Sequence, residues 1–169
     1  MKRFLLFIIQ FTTFIFCLSS VVACVSVNLG RSEITRSKVA TFAQPNPEFK
    51  KFDAPVVDHA WRHPKDGNSI SVISQCEEGS GFSLEEIKAA TIAEVESAKV
   101  IEEKDFELNE RAAKSLTLSG AMDGVASQLK VVSFRKHDCI YSLTYVAKPA
   151  TFKKHLASFD EFVKGYKVP

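Results

Sequence analysis

From residue 100 to residue 147 the chain alternates side-chain character with a period of two, in stretches closed by turn-forming residues. Residues 101–108 and 112–120 flank Asn109-Glu110, and Leu116 and Leu118 fall on one face. Met122-Asp123-Gly124 makes the next turn. Beyond it Val125, Ser127, Leu129, Val131 and Ser133 alternate with Ala126, Gln128, Lys130, Val132 and Phe134. Residues 135–138 turn the chain again, into a run at 139–147 that is β-branched and aromatic on both faces, as a central strand requires. A parallel connection needs a crossover of a dozen or more residues. These links are far shorter, so the four strands must run antiparallel.

The rest of the chain adds elements to that sheet. Residues 58–76 read as a hairpin. Its arms are 59–63 and 69–76, and its turn, Pro64-Lys65-Asp66-Gly67-Asn68, carries the Asp-Gly signal. Ile70, Val72, Ser74 and Cys76 share one face of the second arm. Ser83-Leu84-Glu85-Glu86 is a capping-box start, and Leu84, Ile87, Thr91, Val95 and Ala98 recur at helical spacing, which predicts a helix over 84–98. Gly79-Ser80-Gly81 is a flexible approach to it. Pro149 ends the last strand. Phe152, Leu156, Phe159, Phe162 and Val163 form the apolar face of a terminal helix, with a second capping box expected at Ser158 and Glu161 and a C-cap at Gly165. The class is α+β: an antiparallel sheet of about six strands covered by two helices.

The N-terminus bears on location. Lys2 and Arg3 precede an uncharged run over residues 4–18, broken by Gln10, Thr12 and Thr13. A positive start, a short apolar core and small residues before a cut make a secretory signal, whereas a spanning helix needs about 20 apolar residues. Val21-Val22-Ala23-Cys24 resembles the lipobox of bacterial lipoproteins, with Val21 where Leu is usual. That resemblance implies cleavage before Cys24 and acylation (palmitate among the chains) of Cys24, which anchors the protein to a lipid bilayer. Val25 follows where many enterobacterial lipoproteins kept at the inner membrane have Asp, which implies the outer membrane, facing the periplasm. The expected organisation is a signal peptide at 1–23, a tether at 24–52 and a globular domain at 53–169. Pro45 and Pro47 argue against helix in the tether, and residues 38–42 offer an early strand.

Removing residues 1–23 leaves 20 basic and 20 acidic residues. A neutral mature chain lacks the basic footprint of a nucleic-acid binder. Nine of the 14 Phe remain to build a core. Two thiols also remain once Cys24 is lipidated, and an exported Cys pair reads as a disulfide. The expectation is a Cys76–Cys139 bridge, with two free buried thiols as the alternative. It makes the second arm of the hairpin and the last strand neighbours.

The order of elements, the run Cys139-Ile140-Tyr141-Ser142-Leu143-Thr144-Tyr145-Val146-Ala147, then Phe152 and Phe159-Asp160-Glu161-Phe162-Val163, resembles the PsbP-like fold over residues 52–167. The resemblance implies a binding or accessory role with an unknown protein or small-ligand partner, not a reaction, and it carries over no site residue. No nucleophile-elbow, zincin, Walker A or Rossmann pattern occurs, and neither a catalytic residue nor a cofactor is expected. The alternative is a small periplasmic hydrolase or ligand-modifying enzyme using a sheet-face pocket, for which His59, His63 and Asp66 are the nearby titratable set. On a straight strand His59 and His63 lie ~13 Å apart, too far to share one tetrahedral ion, so no metal is expected there. His137 is placed in a turn and His155 on a helix surface.

Overall fold

The structure, a computed structural model, describes residues 35–76 and 83–169. The lipobox with Cys24 and the Gly79-Ser80-Gly81 segment lie outside the described residues. Seven strands form one antiparallel sheet: β1 (Lys50–Lys51), β2 (His59–Arg62), β3 (Ser69–Cys76), β4 (Glu96–Leu108), β5 (Arg111–Met122), β6 (Val125–Lys136) and β7 (Cys139–Ala147). Their spatial order is β1-β2-β3-β7-β6-β5-β4. Helix α1 (Leu84–Ala93) links β3 to the far edge strand β4, and α2 (Pro149–Gly165) follows β7.

The meander forms as the alternation requires. Asn109 and Glu110 at φ 54° and 61° close β4–β5, and Asp123 and Gly124 at φ 50° and 73° close β5–β6. Paired positive φ values suit the right-handed twist of the flanking strands. β7, with Tyr141, Leu143, Tyr145 and Ala147 buried on one face and Ile140 buried at the start of the other, occupies the middle of the sheet.

Strand parity divides the core in two. On one face Ile70, Val72, Val132, Phe134, Tyr141, Leu143 and Tyr145 pack against Phe152, Phe159, Phe162 and Val163 of α2. On the other, Leu116, Leu118 and Leu129 meet Val95 and Ile92, at the end of α1. The two helices therefore cover opposite faces. At Gly120 an added Cβ would sit 2.5 Å from both the Glu96 carbonyl oxygen and Val95 Cγ1, so only glycine lets the start of β4 lie this close to β5.

Four expectations change. The first helix ends at Ala93 rather than 98, because Glu96 already pairs with Ala121 and Ser97 adopts φ 52° where β4 bulges. The terminal helix runs unbroken through Ser158 and Glu161, so no second capping box forms; it starts with Pro149 in its first turn and its C-cap is Tyr166. Residues 38–42 form no strand, only a bridge between Thr41 and Lys167. Within the expected tether, residues from Thr35 onward pack on the domain. Phe49 is buried, Phe42 stacks on Tyr166, and Lys50–Lys51 supply the short seventh strand, paired with β2.

Cys76 and Cys139 are direct partners across β3 and β7 and form a disulfide, with Cα atoms 4.0 Å apart. It joins residues 63 apart in sequence, which the chain-entropy account values at about 4 kcal/mol as an upper figure. The Cys76 N–H also donates to the Thr35 carbonyl at 2.9 Å, so the covalent staple sits where the N-terminal segment enters the sheet.

Candidate functional site

The β2–β3 turn is tied to α2 by one buried side chain. Asn68 Nδ2 donates to Tyr145 Oη (2.9 Å) and to the Thr151 carbonyl (3.1 Å), and its Oδ1 accepts from Thr151 Oγ1 (2.7 Å). Within the turn the His63 N–H donates to the Asn68 carbonyl and the Gly67 N–H to the His63 carbonyl, at 2.8 and 2.9 Å, with Gly67 at φ 74°. Asn68 thus fixes the turn both to its own strands and to the first turn of α2. Burial raises the Tyr145 hydroxyl to about 12, so it stays a neutral donor, which it spends on the Phe152 carbonyl at 2.9 Å.

That anchoring brings His63 and Asp66 against His155. The two imidazoles are buried, with ring centres 4.2 Å apart. Asp66 Oδ2 lies 2.7 Å from His155 Nε2 and 3.3 Å from His63 Nδ1, and Lys154 Nζ reaches it at 2.8 Å. Hydrogen bonds from Lys154 and then His155 draw the Asp66 carboxyl down to about 2. The ring of Phe49 sits edge-on to both histidines at 5.6 Å. Just before it, Asn46 Oδ1 accepts the Glu48 N–H at 2.9 Å, a local turn that places the exposed Glu48 beside the pair.

Of the three residues expected together, the structure unites two. His59 stands apart from this cluster, against Phe42 and Trp61 at 4.9 and 5.9 Å. Burial, then Lys51, lowers its pKa. His155, expected on a helix surface, is buried: four residues after Pro149–Thr151 begin α2, it points with Phe152 and Phe159 towards the sheet. Its spacing from those two Phe residues was the signal, since positions 152, 155 and 159 lie on one helix stripe. His137 does occupy a turn, at φ 55°. Trp61 is 1% exposed, and its Nε1–H has no hydrogen-bond partner among the described residues. Its indole ring lies near Phe42 and Phe162, at 5.8 and 5.4 Å.

Apart from this cluster, a concavity of about 400 Å³ runs between α2 and strands β4–β6. Phe106, Val132 and Val163 give it apolar walls, and Lys130 and Asp160 pair across it at 2.7 Å. Among the described residues no helix is long and apolar enough to cross a membrane.

No family model and no curated protein matches this sequence. Solved structures do. The solution structure of cyanobacterial PsbP (CyanoP) from Synechocystis sp. PCC 6803 aligns with a TM-score of 0.60 at 12% identity, covering 83% of this chain and 95% of that one. LpqN of Mycobacterium tuberculosis, described as involved in cell envelope biogenesis, gives 0.61 at 10% identity, over 83% and 88%. PA94 of Pseudomonas aeruginosa, a protein of unknown function and putative regulator, gives 0.51 at 16%, over 76% and 86%. Identities this low carry the architecture and nothing finer: the chain has a PsbP-like α+β fold, with a seven-stranded antiparallel sheet and two helices among the described residues.

Proposed function

We propose that this protein is a lipid-anchored accessory or binding protein of a bacterial cell envelope, non-catalytic, and held by acyl chains on Cys24 at the periplasmic face of the outer membrane. The observation that carries the reading is the Cys76–Cys139 disulfide, set in register between two central strands. Such bonds persist in exported proteins and are rare in a reducing cytosol. It joins the signal-like leader and the lipobox resemblance in pointing outward from the cytoplasm. LpqN, of the same fold, is described as involved in cell envelope biogenesis, which agrees with this reading without carrying it. Two or more acyl chains at Cys24 give stable anchoring, since one chain alone holds only marginally.

The hydrolase alternative rested on His59, His63 and Asp66 acting together, and His59 is placed elsewhere. Among the described residues neither imidazole of the His63–His155 pair is hydrogen-bonded to a hydroxyl or thiol, the contact that activates a nucleophile. The partner is a protein or small ligand, to be identified by crosslinking in living cells.

The test is Cys24→Ser with cell fractionation and mass analysis of the N-terminus. The variant should lose its acyl mass, keep its leader and leave the outer-membrane fraction. Unchanged processing and unchanged partitioning with the outer membrane would overturn the anchor.

A further inference from the structure

We infer that Glu48, His63 and His155 form a binding site for one divalent transition-metal ion of the zinc class, with Asp66 orienting both imidazoles from behind. One candidate ligand atom from each of Glu48, His63 and His155 lies within 4.8 Å of the other two. Bond lengths of about 2.0–2.2 Å in a tetrahedral site place ligand atoms about 3.3–3.5 Å apart. A pair at that 4.8 Å limit must close by up to about 1.5 Å, and Glu48, being exposed, has the rotational freedom to close on the buried imidazoles.

The donor set selects the metal. Two imidazoles and one carboxylate suit zinc and its neighbours, whereas calcium and magnesium take oxygen ligands. Three protein ligands leave a fourth position for water or a partner's side chain.

Asp66 completes the arrangement. Its Oδ2 faces Nε2 of His155 at 2.7 Å and Nδ1 of His63 at 3.3 Å. His155 Nε2 is hydrogen-bonded to the carboxylate and His63 Nδ1 accepts the Asp66 backbone N–H with the carboxylate nearby; a metal taken through the other nitrogen of each ring would complete the outer-sphere arrangement common to metal-bound histidines. The Asp66 backbone N–H also lies 3.2 Å from His63 Nδ1. On metal binding through Nε2 that nitrogen carries the proton and turns to the carboxylate instead. Lys154, 2.8 Å from Asp66, balances the second carboxylate and keeps it outside the coordination sphere. The ligands come from three separate segments: the N-terminal stretch before β1, the β2–β3 turn and α2. A bound ion would pin the segment leading from the membrane anchor onto the body of the domain. The inference does not depend on the anchoring reading, because it uses only residues within the domain.

The experiment uses the full processed chain, purified in detergent, stripped with a chelator and titrated with Zn²⁺ by calorimetry. Co²⁺ absorption reports the geometry. One equivalent should bind, Co²⁺ should give the intense spectrum of a tetrahedral site, and Zn²⁺ should raise the melting temperature. Asp66→Asn should weaken binding ~10–100-fold, the usual cost of losing an outer-sphere partner. Glu48→Ala and His155→Gln should weaken it more. Glu48 is exposed, so its variant tests the site without disturbing the core, and circular dichroism checks the fold of each. The absence of saturable Zn²⁺ binding, or wild-type affinity in a folded Glu48→Ala or His155→Gln protein, overturns the site.

Discussion

The two helices hold to the same sheet by different means. Helix α2 buries Phe152, His155, Phe159, Phe162 and Val163, and its first turn is fastened to the β2–β3 turn through Asn68. Helix α1 buries none of its residues. It is held by its capping box, by a few half-buried apolar side chains and by charge. Lys114 Nζ reaches Glu85, Glu103 and Asp105 at 2.9, 2.9 and 2.7 Å, and Lys88 bridges Glu85 and Glu103. Those hydrogen bonds raise the Lys114 pKa and lower that of Glu103. Yet the side chains of Glu85 and Asp105 are 63% and 79% exposed, where water and salt screen such pairs. Ten residues is also too short for a helix to persist unaided. The difference makes α1 the element expected to open locally without global unfolding, whereas α2, carrying His155 of the histidine cluster, opens only with the core it helps to build.

The largest break in this contrast should come from Phe159→Ala. A buried Phe costs about 3–5 kcal/mol when truncated, because a cavity adds to the lost transfer energy. Its counterpart on the other face, the half-buried Ile87→Ala, should cost only about 1 kcal/mol. Urea denaturation of the two variants measures the pair, and equal losses would erase the distinction.

Asn68→Ala should cost about 1–3 kcal/mol, since Thr151 Oγ1 and the Thr151 carbonyl lose a buried partner. The sharper sign is local. Hydrogen exchange at residues 63–68 and 149–152 should quicken together, because one side chain joins them. Protection lost in the turn alone would mean that α2 is held by its apolar face and not by Asn68.

The smallest effect belongs to Ser83→Ala. Loss of the cap should remove about 1 kcal/mol of local stability, read as faster exchange over α1 with little change in the global midpoint. Raising the salt concentration should quicken exchange in α1 further and affect α2 far less, because α2 is held by its buried apolar stripe although it too carries Lys154–Asp66 and Lys130–Asp160. An equal response in both helices would make the salt-bridge network irrelevant to the comparison.

How much of this was legible depended on whether the deciding interaction was local. The Ser83–Glu86 box forms as read, with Ser83 Oγ accepting the Glu86 N–H at 3.2 Å and the Glu86 carboxylate accepting the Ser83 N–H at 2.7 Å. The Asn109-Glu110 turn and the hairpin around Asp66-Gly67 were equally plain. Helix α1 was read too long because Val95 and Ala98 keep helical spacing, while the pairing of Glu96 with Ala121 and the close approach of Val95 to Gly120 depend on residues 25 positions further along the chain. Phe42 and Phe49 lay in a stretch without periodicity, so nothing near them announced that both would join the core.

By itself the sequence determined the antiparallel meander, the class of the fold, and the pairing of Cys76 with Cys139. Alternation, turn chemistry and short links act between residues close in the chain, and Cys76 and Cys139 are the two thiols beyond residue 24. Only the tertiary structure decided that the helices take opposite faces, that residues from Thr35 onward pack on the domain, and that Glu48, His63, Asp66 and His155 converge. Those residues span more than 100 positions. They meet because Asn68 and the apolar stripe of α2 draw three distant segments together, and no local spacing encodes a contact made by packing.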